Sequence, residues 1–110
     1  MLFRSDAARA LHERWDVAGI VPYGIINNAG ITGDCLAIRQ TRTAWDKVFA
    51  VNVTGAFLLT KAFLPALIRH RSGRIISIGS VVGIAGNAGQ SAYAASKAAL
   101  HAYTQSLAAE

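Results

Sequence analysis

The sequence predicts an α/β fold built on a parallel sheet. Two short apolar runs, residues 23–26 and 74–80, each lead into turn-forming residues, which is typical of buried parallel strands. Helical segments precede, separate and follow these runs, so the order is helix, strand, helix, strand, helix. Strands that alternate with helices indicate parallel pairing through right-handed crossovers.

A proline separates the first predicted helix from the first strand. Residues 6–15 alternate charged with apolar positions, Leu11 and Trp15 among the latter, and this pattern predicts a helix. Pro22 ends any helix there. The apolar run that follows it is closed by Asn27, Asn28, Ala29 and Gly30.

A long central helix is predicted after a loop over residues 31–42. Thr43 resembles an N-cap, and Asp46 three residues later makes an approximate capping box. The helix continues to about Arg71, with apolar residues on more than one face, so we expect it to be covered on two sides. Pro65 is expected to kink it.

The second strand covers residues 74–80 and contains three β-branched isoleucines. A glycine-rich loop follows, and from about Ala92 an alanine-rich helix continues to Glu110 without a stop signal. Two strands alone make a marginal sheet. We therefore expect residues 1–110 to be one partial domain of a larger sheet, and the chain to be a fragment of a longer protein.

Composition excludes several classes of protein. With 53% hydrophobic and 15% charged residues, the chain is too apolar to be disordered. The net charge of +5 is scattered, without a basic stripe or stacking aromatics, so no nucleic-acid partner is expected.

Cys35 is the one cysteine, which leaves no disulfide framework and no metal site. No continuous apolar run of membrane-spanning length and no signal sequence is present, so we expect a cytoplasmic protein without a membrane partner.

Three residues form a candidate catalytic group: Ser80, Tyr93 and Lys97. Tyr93 and Lys97 are four apart on a predicted helix and share a face. Ser80 ends a strand, at the sheet edge where α/β proteins bind ligands. An ammonium stabilises a nearby phenolate, so the phenol could exchange protons with a carbonyl oxygen that the serine holds. None of the three supplies a hydride, so a redox cofactor is required. The alternative is a packing tyrosine, a surface lysine and a turn serine.

The pattern of motifs resembles the short-chain dehydrogenase/reductase family. The motif Asn27-Asn28-Ala29-Gly30 after a strand, Asn52 in a helix, Ser80 after a strand and Tyr93-Ala-Ala-Ser-Lys97 occur in the order and spacing of that family. The resemblance implies a partial Rossmann-like, doubly wound parallel sheet. Residues 73–83 and 86–90 are similar to the branch of 3-oxoacyl-(acyl-carrier-protein) reductases, so we expect an NAD(P)-dependent oxidoreductase of fatty acid synthesis. Another alcohol, sugar or steroid dehydrogenase is the alternative.

The resemblance also implies a role for each motif residue. Tyr93 is the proton donor, Lys97 stabilises its phenolate and binds the nicotinamide ribose, and Ser80 positions the substrate carbonyl. Asn52 holds a helix distortion and a water in a proton relay to Lys97. The implied cofactor is NADP, with NAD as the alternative. Tyr93 and Lys97 are implied cofactor-binding residues, and the adenosine ribose is expected beside Asn28, Ala29 and Gly30.

The resemblance further implies partners. Residues 43–71 and 92–110 match the helix pair that forms the family's dimer interface, so we expect a homo-oligomer, a tetramer at full length, although core packing within one subunit is the alternative. A small-molecule or carrier-bound acyl substrate is expected. The cluster of Arg69, Arg71 and Arg74 could attract an acidic carrier protein, or it could be a solvated helix end.

One family motif is missing from the sequence. No Thr-Gly-x-x-x-Gly-x-Gly loop precedes the first predicted strand, and the glycines between Gly79 and Gly89 do not have that spacing. Such a loop anchors the cofactor pyrophosphate at a helix N-terminus. We therefore expect the 110-residue chain alone to show no measurable turnover. A hypothesis of another class is a non-catalytic oligomerisation module.

Overall fold

The computed structural model describes residues 5–110, which form five α-helices, two β-strands and two short helical turns of other types. In chain order these are α1 (Ser5–Val17), β1 (Gly24–Asn27), a 3-10 turn (Ala37–Arg39), α2 (Arg42–Phe49), a π-helical turn (Ala50–Thr54), α3 (Gly55–His70), β2 (Arg74–Ser77), α4 (Val82–Ala85) and α5 (Ser91–Ala109).

The two strands pair in parallel, with Gly24 opposite Arg74 and Asn27 opposite Ser77. The ladder continues one step beyond β2, because the Ile78 amide donates to the Asn27 carbonyl at 3.1 Å. A parallel strand pair joined through helices is the architecture that the alternating sequence pattern predicts. The predicted partial Rossmann-like α/β fold is therefore confirmed.

The hydrophobic core lies on one face of the sheet. Ile25 of β1 packs with Phe63 and Leu67 of α3, and all three are buried. Leu11 and Trp15 of α1 pack against this cluster, and the Trp15 and Phe63 rings meet edge to face at 5.4 Å. The helix before β1 and the helix after it therefore cover the same face.

The other face of the sheet is open within residues 5–110. Side chains alternate between faces along a strand, and Ile26 and Ile76, which are register partners, are 61% and 51% exposed. Some of the many apolar residues of the sequence, such as these two isoleucines, therefore lie on a sheet face that residues 5–110 leave uncovered.

The N-terminus of α2 differs from the predicted one. Thr41, not Thr43, is the N-cap: it has extended backbone angles, and its hydroxyl accepts the Ala44 amide at 3.1 Å. Thr43 already lies inside α2, where it cannot act as the cap. The Asp46 carboxylate accepts the Arg42 guanidinium at 2.9 Å in an i, i+4 ion pair, so the predicted capping box was wrong.

Other predicted bounds also shift. The predicted single helix is interrupted by the π-helical turn before it ends at His70, where Arg71 takes a left-handed conformation with φ 51°. Pro65 lies inside α3, and the kink expected there stays a prediction. Strand β2 ends at Ser77, so Ser80 lies in the loop after it. The glycine-rich segment contains α4, which the sequence pattern did not predict.

One helical stretch in the described part of the chain, Arg42–His70, is long and apolar enough to span a membrane. Core helices of soluble proteins have the same properties. Phe63, Ala66 and Leu67 of this stretch are buried inside the fold, which fits a core helix. That no membrane partner exists stays a prediction.

Candidate active site

The site is built where the two parallel strands end. Gly30 follows β1 and Ile78 follows β2, and the carboxyl ends of parallel strands lie at the same edge of a sheet. Helix α5 packs against both α4 and the π-helical turn. Its first turns therefore lie beside the segments that leave the strands.

Lys97 is held at this edge by Ile78, the residue that directly follows β2. Its ammonium donates to the Ile78 carbonyl at 2.8 Å, and the residue is 4% exposed. Burial lowers the pKa of Lys97 from its usual 10.5, since removal from water penalises the charged form. The ammonium lies 5.7 Å from the centroid of the Tyr93 ring, one helical turn earlier on α5. The predicted tyrosine–lysine pair is thus brought together.

Asn52 joins three segments around that pair. It is 1% exposed and lies in the π-helical turn. Its Oδ1 accepts the Ile31 amide at 2.8 Å, and its Nδ2 donates to the Ile31 carbonyl at 2.9 Å. The same Nδ2 donates to Ser96 Oγ at 3.0 Å. The helix distortion expected at Asn52 is present, while the water relay stays a prediction.

Ser96 is a residue of the site that the sequence analysis missed. Its side chain is fully buried, and its hydroxyl donates to the Tyr93 carbonyl at 2.7 Å while it accepts from Asn52. The available signal was a serine directly before Lys97 in an otherwise alanine-rich helix. A polar residue on the packed side of such a helix needs a partner, since an unpaired buried hydroxyl is costly.

Ser80 lies on the other side of Lys97. The two residues line one pocket of about 380 Å³ together with His101 of α5 and Ile84 of α4. Ser80 Oγ accepts the Val82 amide at 3.3 Å, which leaves the hydroxyl proton available to a ligand. Tyr93 is not among the residues that line this pocket. Of the three predicted catalytic residues, Lys97 is therefore the one that lies beside both Tyr93 and Ser80.

The predicted cofactor residues divide into two places. Gly30 lies beside Lys97, since a Cβ built on Gly30 would be 3.3 Å from Lys97 Nζ. Asn28 and Ala29 line a separate small pocket of about 50 Å³ between β1 and the start of α3. The side chain of Asn27 turns inward and donates to Thr60 Oγ1 at 3.1 Å, so it serves packing as well as the turn.

The residues present fit part of a nicotinamide nucleotide. The Lys97 ammonium has three N–H donors, and within residues 5–110 one of them binds Ile78. The others can bind the two hydroxyls of a ribose, and the missing side chain at Gly30 leaves that approach open. Lys97 and Gly30 would hold the nicotinamide ribose. Residues 5–110 contain no glycine-rich turn before β1 that would hold the pyrophosphate.

Comparison with known proteins assigns the family. The sequence profile of the short chain dehydrogenases matches residues 7–110. This chain belongs to the short-chain dehydrogenase family. The match covers every element described above except the first residues of α1. The family assignment that the motifs indicate is therefore confirmed.

Individual relatives agree with the motif pattern. The chain is 48% identical over 86 residues to a 3-oxoacyl-(acyl-carrier-protein) reductase of Vibrio cholerae. It is 49% identical over the same length to the enzyme of that name from Aquifex aeolicus and to nodulation protein G of a Rhizobium species. Each match covers 78% of this chain and 35% of the relative. The chain thus spans about a third of the length of these relatives.

In this member of the short-chain dehydrogenase family, predictions remain for the roles of seven residues: Ser80, Tyr93, Lys97, Asn52, Asn28, Ala29 and Gly30. Among residues 5–110, no three His, Cys, Asp or Glu side chains are grouped as metal ligands.

A second groove of about 410 Å³ lies where β2 begins, and Arg71 and Arg74 are among the residues that line it.

Proposed function

We propose that the protein carrying this chain reduces a carbonyl group to an alcohol with a nicotinamide nucleotide, NADP in preference to NAD. One observation supports this most strongly. A lysine that is 4% exposed is fixed by the Ile78 carbonyl at the sheet edge, with its ammonium 5.7 Å from the Tyr93 ring. A buried charge is costly unless it is used or paired. Binding a ribose and stabilising a phenolate are two uses for it.

Tyr93 is the proposed proton donor. The cofactor, when bound, supplies a hydride to the carbonyl carbon. As negative charge develops on the carbonyl oxygen, the Tyr93 hydroxyl gives its proton to that oxygen and the alcohol is formed. The positive charge of Lys97 stabilises the phenolate that remains. We propose that a water held near Asn52 and Lys97 then returns a proton to Tyr93.

Ser80 is proposed to hold the substrate oxygen. Its hydroxyl oxygen already accepts the Val82 amide. The remaining hydroxyl proton can donate to a carbonyl oxygen. A donor placed in advance at the position of the developing charge lowers the barrier without reorganisation.

The proposed substrate is a 3-oxoacyl thioester carried on an acyl-carrier protein, as in fatty acid synthesis. Support comes from the relatives with that name and from the similarity of residues 73–90 to that branch. Arg69, Arg71 and Arg74 are exposed around the end of α3 and the start of β2, where they offer positive charge to an acidic carrier.

We also propose a homo-oligomer in the cytoplasm, a tetramer at full length. Exposed residues of α3 and α5 support the oligomer. Phe57 is 41% exposed and meets the Tyr103 ring at 6.3 Å, and Ala98 and Ala102 of α5 are exposed. Small side chains on neighbouring helices allow a second copy to approach closely.

The test is steady-state oxidation of NADPH, followed by absorbance, with the complete gene product that contains these residues. A 3-oxoacyl thioester on acyl-carrier protein should be turned over in preference to a simple ketone, a sugar or a steroid, and NADPH in preference to NADH. Preference for one of the other substrates would replace the substrate proposal with another dehydrogenase. No turnover with any carbonyl compound would favour a non-catalytic oligomerisation module and refute the reductase.

A further inference from the structure

Ser96 joins the helix of Tyr93 and Lys97 to the π-helical turn. Its hydroxyl is completely buried and makes two short hydrogen bonds. It donates to the Tyr93 carbonyl at 2.7 Å and accepts Asn52 Nδ2 at 3.0 Å. A serine hydroxyl has one proton. Because that proton is directed at Tyr93, the side facing Asn52 presents only an acceptor.

This acceptor fixes the orientation of the Asn52 amide. All polar atoms of that amide are engaged: Oδ1 accepts the Ile31 amide, and Nδ2 donates to both Ile31 and Ser96. An amide turned by 180° would direct Oδ1 at the Ser96 lone pairs and Nδ2 at the Ile31 N–H. Each of those contacts is repulsive. Ser96 and Ile31 therefore specify one orientation together.

The orientation of the amide is transmitted to the backbone beside the ammonium. Ile31, which both ends of the amide bind, directly follows Gly30. A Cβ on Gly30 would lie 3.3 Å from Lys97 Nζ and 3.6 Å from Asn52 Oδ1. The distance between the Gly30 backbone and the ammonium thus depends on the chain of contacts from Ser96 through Asn52 to Ile31.

We propose that Ser96 is a positioning residue which, acting through Asn52 and Ile31, holds the Gly30 backbone against the Lys97 ammonium and thereby sets the affinity for the nicotinamide ribose. The effect on the ribose rests on the proposed function, whereas the effect on the backbone does not. Tyr93 lies on α5 itself, so proton donation to the substrate should depend much less on Ser96 than ribose binding does.

The backbone part is tested by hydrogen exchange on the complete gene product that contains these residues. Ser96→Ala leaves a buried Nδ2 proton of Asn52 without a partner and should weaken the bond from the Ile31 amide to Oδ1. Exchange of the Ile31 amide should accelerate about 5- to 100-fold relative to the Phe63 amide in the core. Among the described residues, Ser96 is joined to Ile31 only through Asn52, so loss of a direct hydrogen bond would not produce this result.

Thr104→Val is the matched control. Thr104 lies on the same helix, donates to the Leu100 carbonyl at 2.8 Å and bonds Ser77 Oγ at 2.8 Å. The control removes a hydroxyl with a similar role two turns away, and Ile31 exchange should stay at the wild-type rate. Ser96→Cys, whose thiol is a weaker donor and acceptor, should give an intermediate rate. Equal Ile31 exchange in wild type and Ser96→Ala would overturn the proposal.

The binding part is tested by kinetics of the complete gene product. Ser96→Ala should raise the KM for NADPH about 5- to 100-fold and change kcat by less than about 3-fold. A fall in kcat at unchanged KM would overturn the assignment to ribose affinity. Wild-type protein without turnover would refute the reductase, while the exchange rates would still decide whether Ser96 controls Ile31.

Discussion

Gly83 is the position where one added methyl group should do the most damage to the site. It lies in α4, which packs against α5. A Cβ at Gly83 would be 3.0 Å from the Ala98 amide nitrogen and 3.1 Å from both the carbonyl carbon and the Cβ of Lys97. Ordinary contacts between such atoms are about 3.5–4.0 Å. The methyl of Gly83→Ala would therefore overlap rigid backbone by several tenths of an ångström.

The overlap has a predictable cost. Backbone within a helix cannot rotate away as a side-chain tip can, so α4 must move off α5. Overpacking of this kind costs roughly 1–3 kcal/mol, which is about a 5- to 150-fold change in the unfolding equilibrium constant. Because the contacted atoms belong to Lys97 and its neighbour, the same shift should also disturb the pocket that Lys97 shares with Ser80.

Gly79→Ala is the matched control for this prediction. No heavy atom lies within 4 Å of a Cβ built on Gly79, and its φ is not positive. That substitution should be neutral or should stabilise the fold by up to about 1 kcal/mol through the unfolded state. Urea unfolding of both variants, followed by far-UV circular dichroism, gives the two free energies. Equal free energies of unfolding for Gly83→Ala and wild type would refute the packing argument.

Two further predictions concern the helix cap and the buried lysine. Thr41→Ala should lower the free energy of unfolding by about 1 kcal/mol, because the hydrogen bond from the Ala44 amide is lost. Thr43→Ala should lower it by much less. A larger loss for Thr43→Ala than for Thr41→Ala in urea unfolding would show that Thr43 is the cap. Since burial lowers the pKa of Lys97 in the fold, the unfolded chain binds more protons between that pKa and 10.5, and stability should rise with pH in this window. Lys97→Met should lack this rise in urea unfolding as the pH approaches 10.5, whereas Tyr103, whose pKa burial raises, affects both proteins equally. A parallel pH dependence of the two proteins would count against a buried ammonium.

The order of elements could be predicted from the sequence because it depends on local patterns. The runs at β1 and β2 combine apolar residues with turn formers, and each pattern is complete within a few residues. The bounds were less accurate. Ser80 was placed at the end of a strand, whereas β2 ends at Ser77 and the ladder ends one step later at the Ile78 amide, because the partner strand β1 ends at Asn27.

The π-helical turn could not be read from the residues around it. The segment Ala50–Thr54 contains residues that a regular helix accepts. The turn is accompanied by two bonds between Asn52 and Ile31, twenty-one positions earlier in the chain. A resemblance to the family implied a distortion there, but periodicity alone predicted an unbroken helix.

In the site, too, contacts within one helix could be predicted from the sequence and contacts between distant segments could not. Tyr93 and Lys97 could be paired from their spacing on one helix, and the structure brings them together. The contact of Lys97 with Ile78 and that of Ser96 with Asn52 join segments 19 and 44 positions apart. Such contacts depend on how α5 docks onto the sheet edge, and no local pattern encodes them.

The most direct test of the account is the effect of Tyr93→Phe on the complete gene product, measured as kcat with NADPH and a 3-oxoacyl thioester alongside the dissociation constant for NADPH. Loss of the phenolic proton donor should lower kcat by about 100- to 10,000-fold. The dissociation constant should stay close to the wild-type value, because the substitution leaves Lys97 and Gly30, the residues proposed to hold the ribose, unchanged. A variant that retains wild-type kcat would show that Tyr93 does not protonate the substrate.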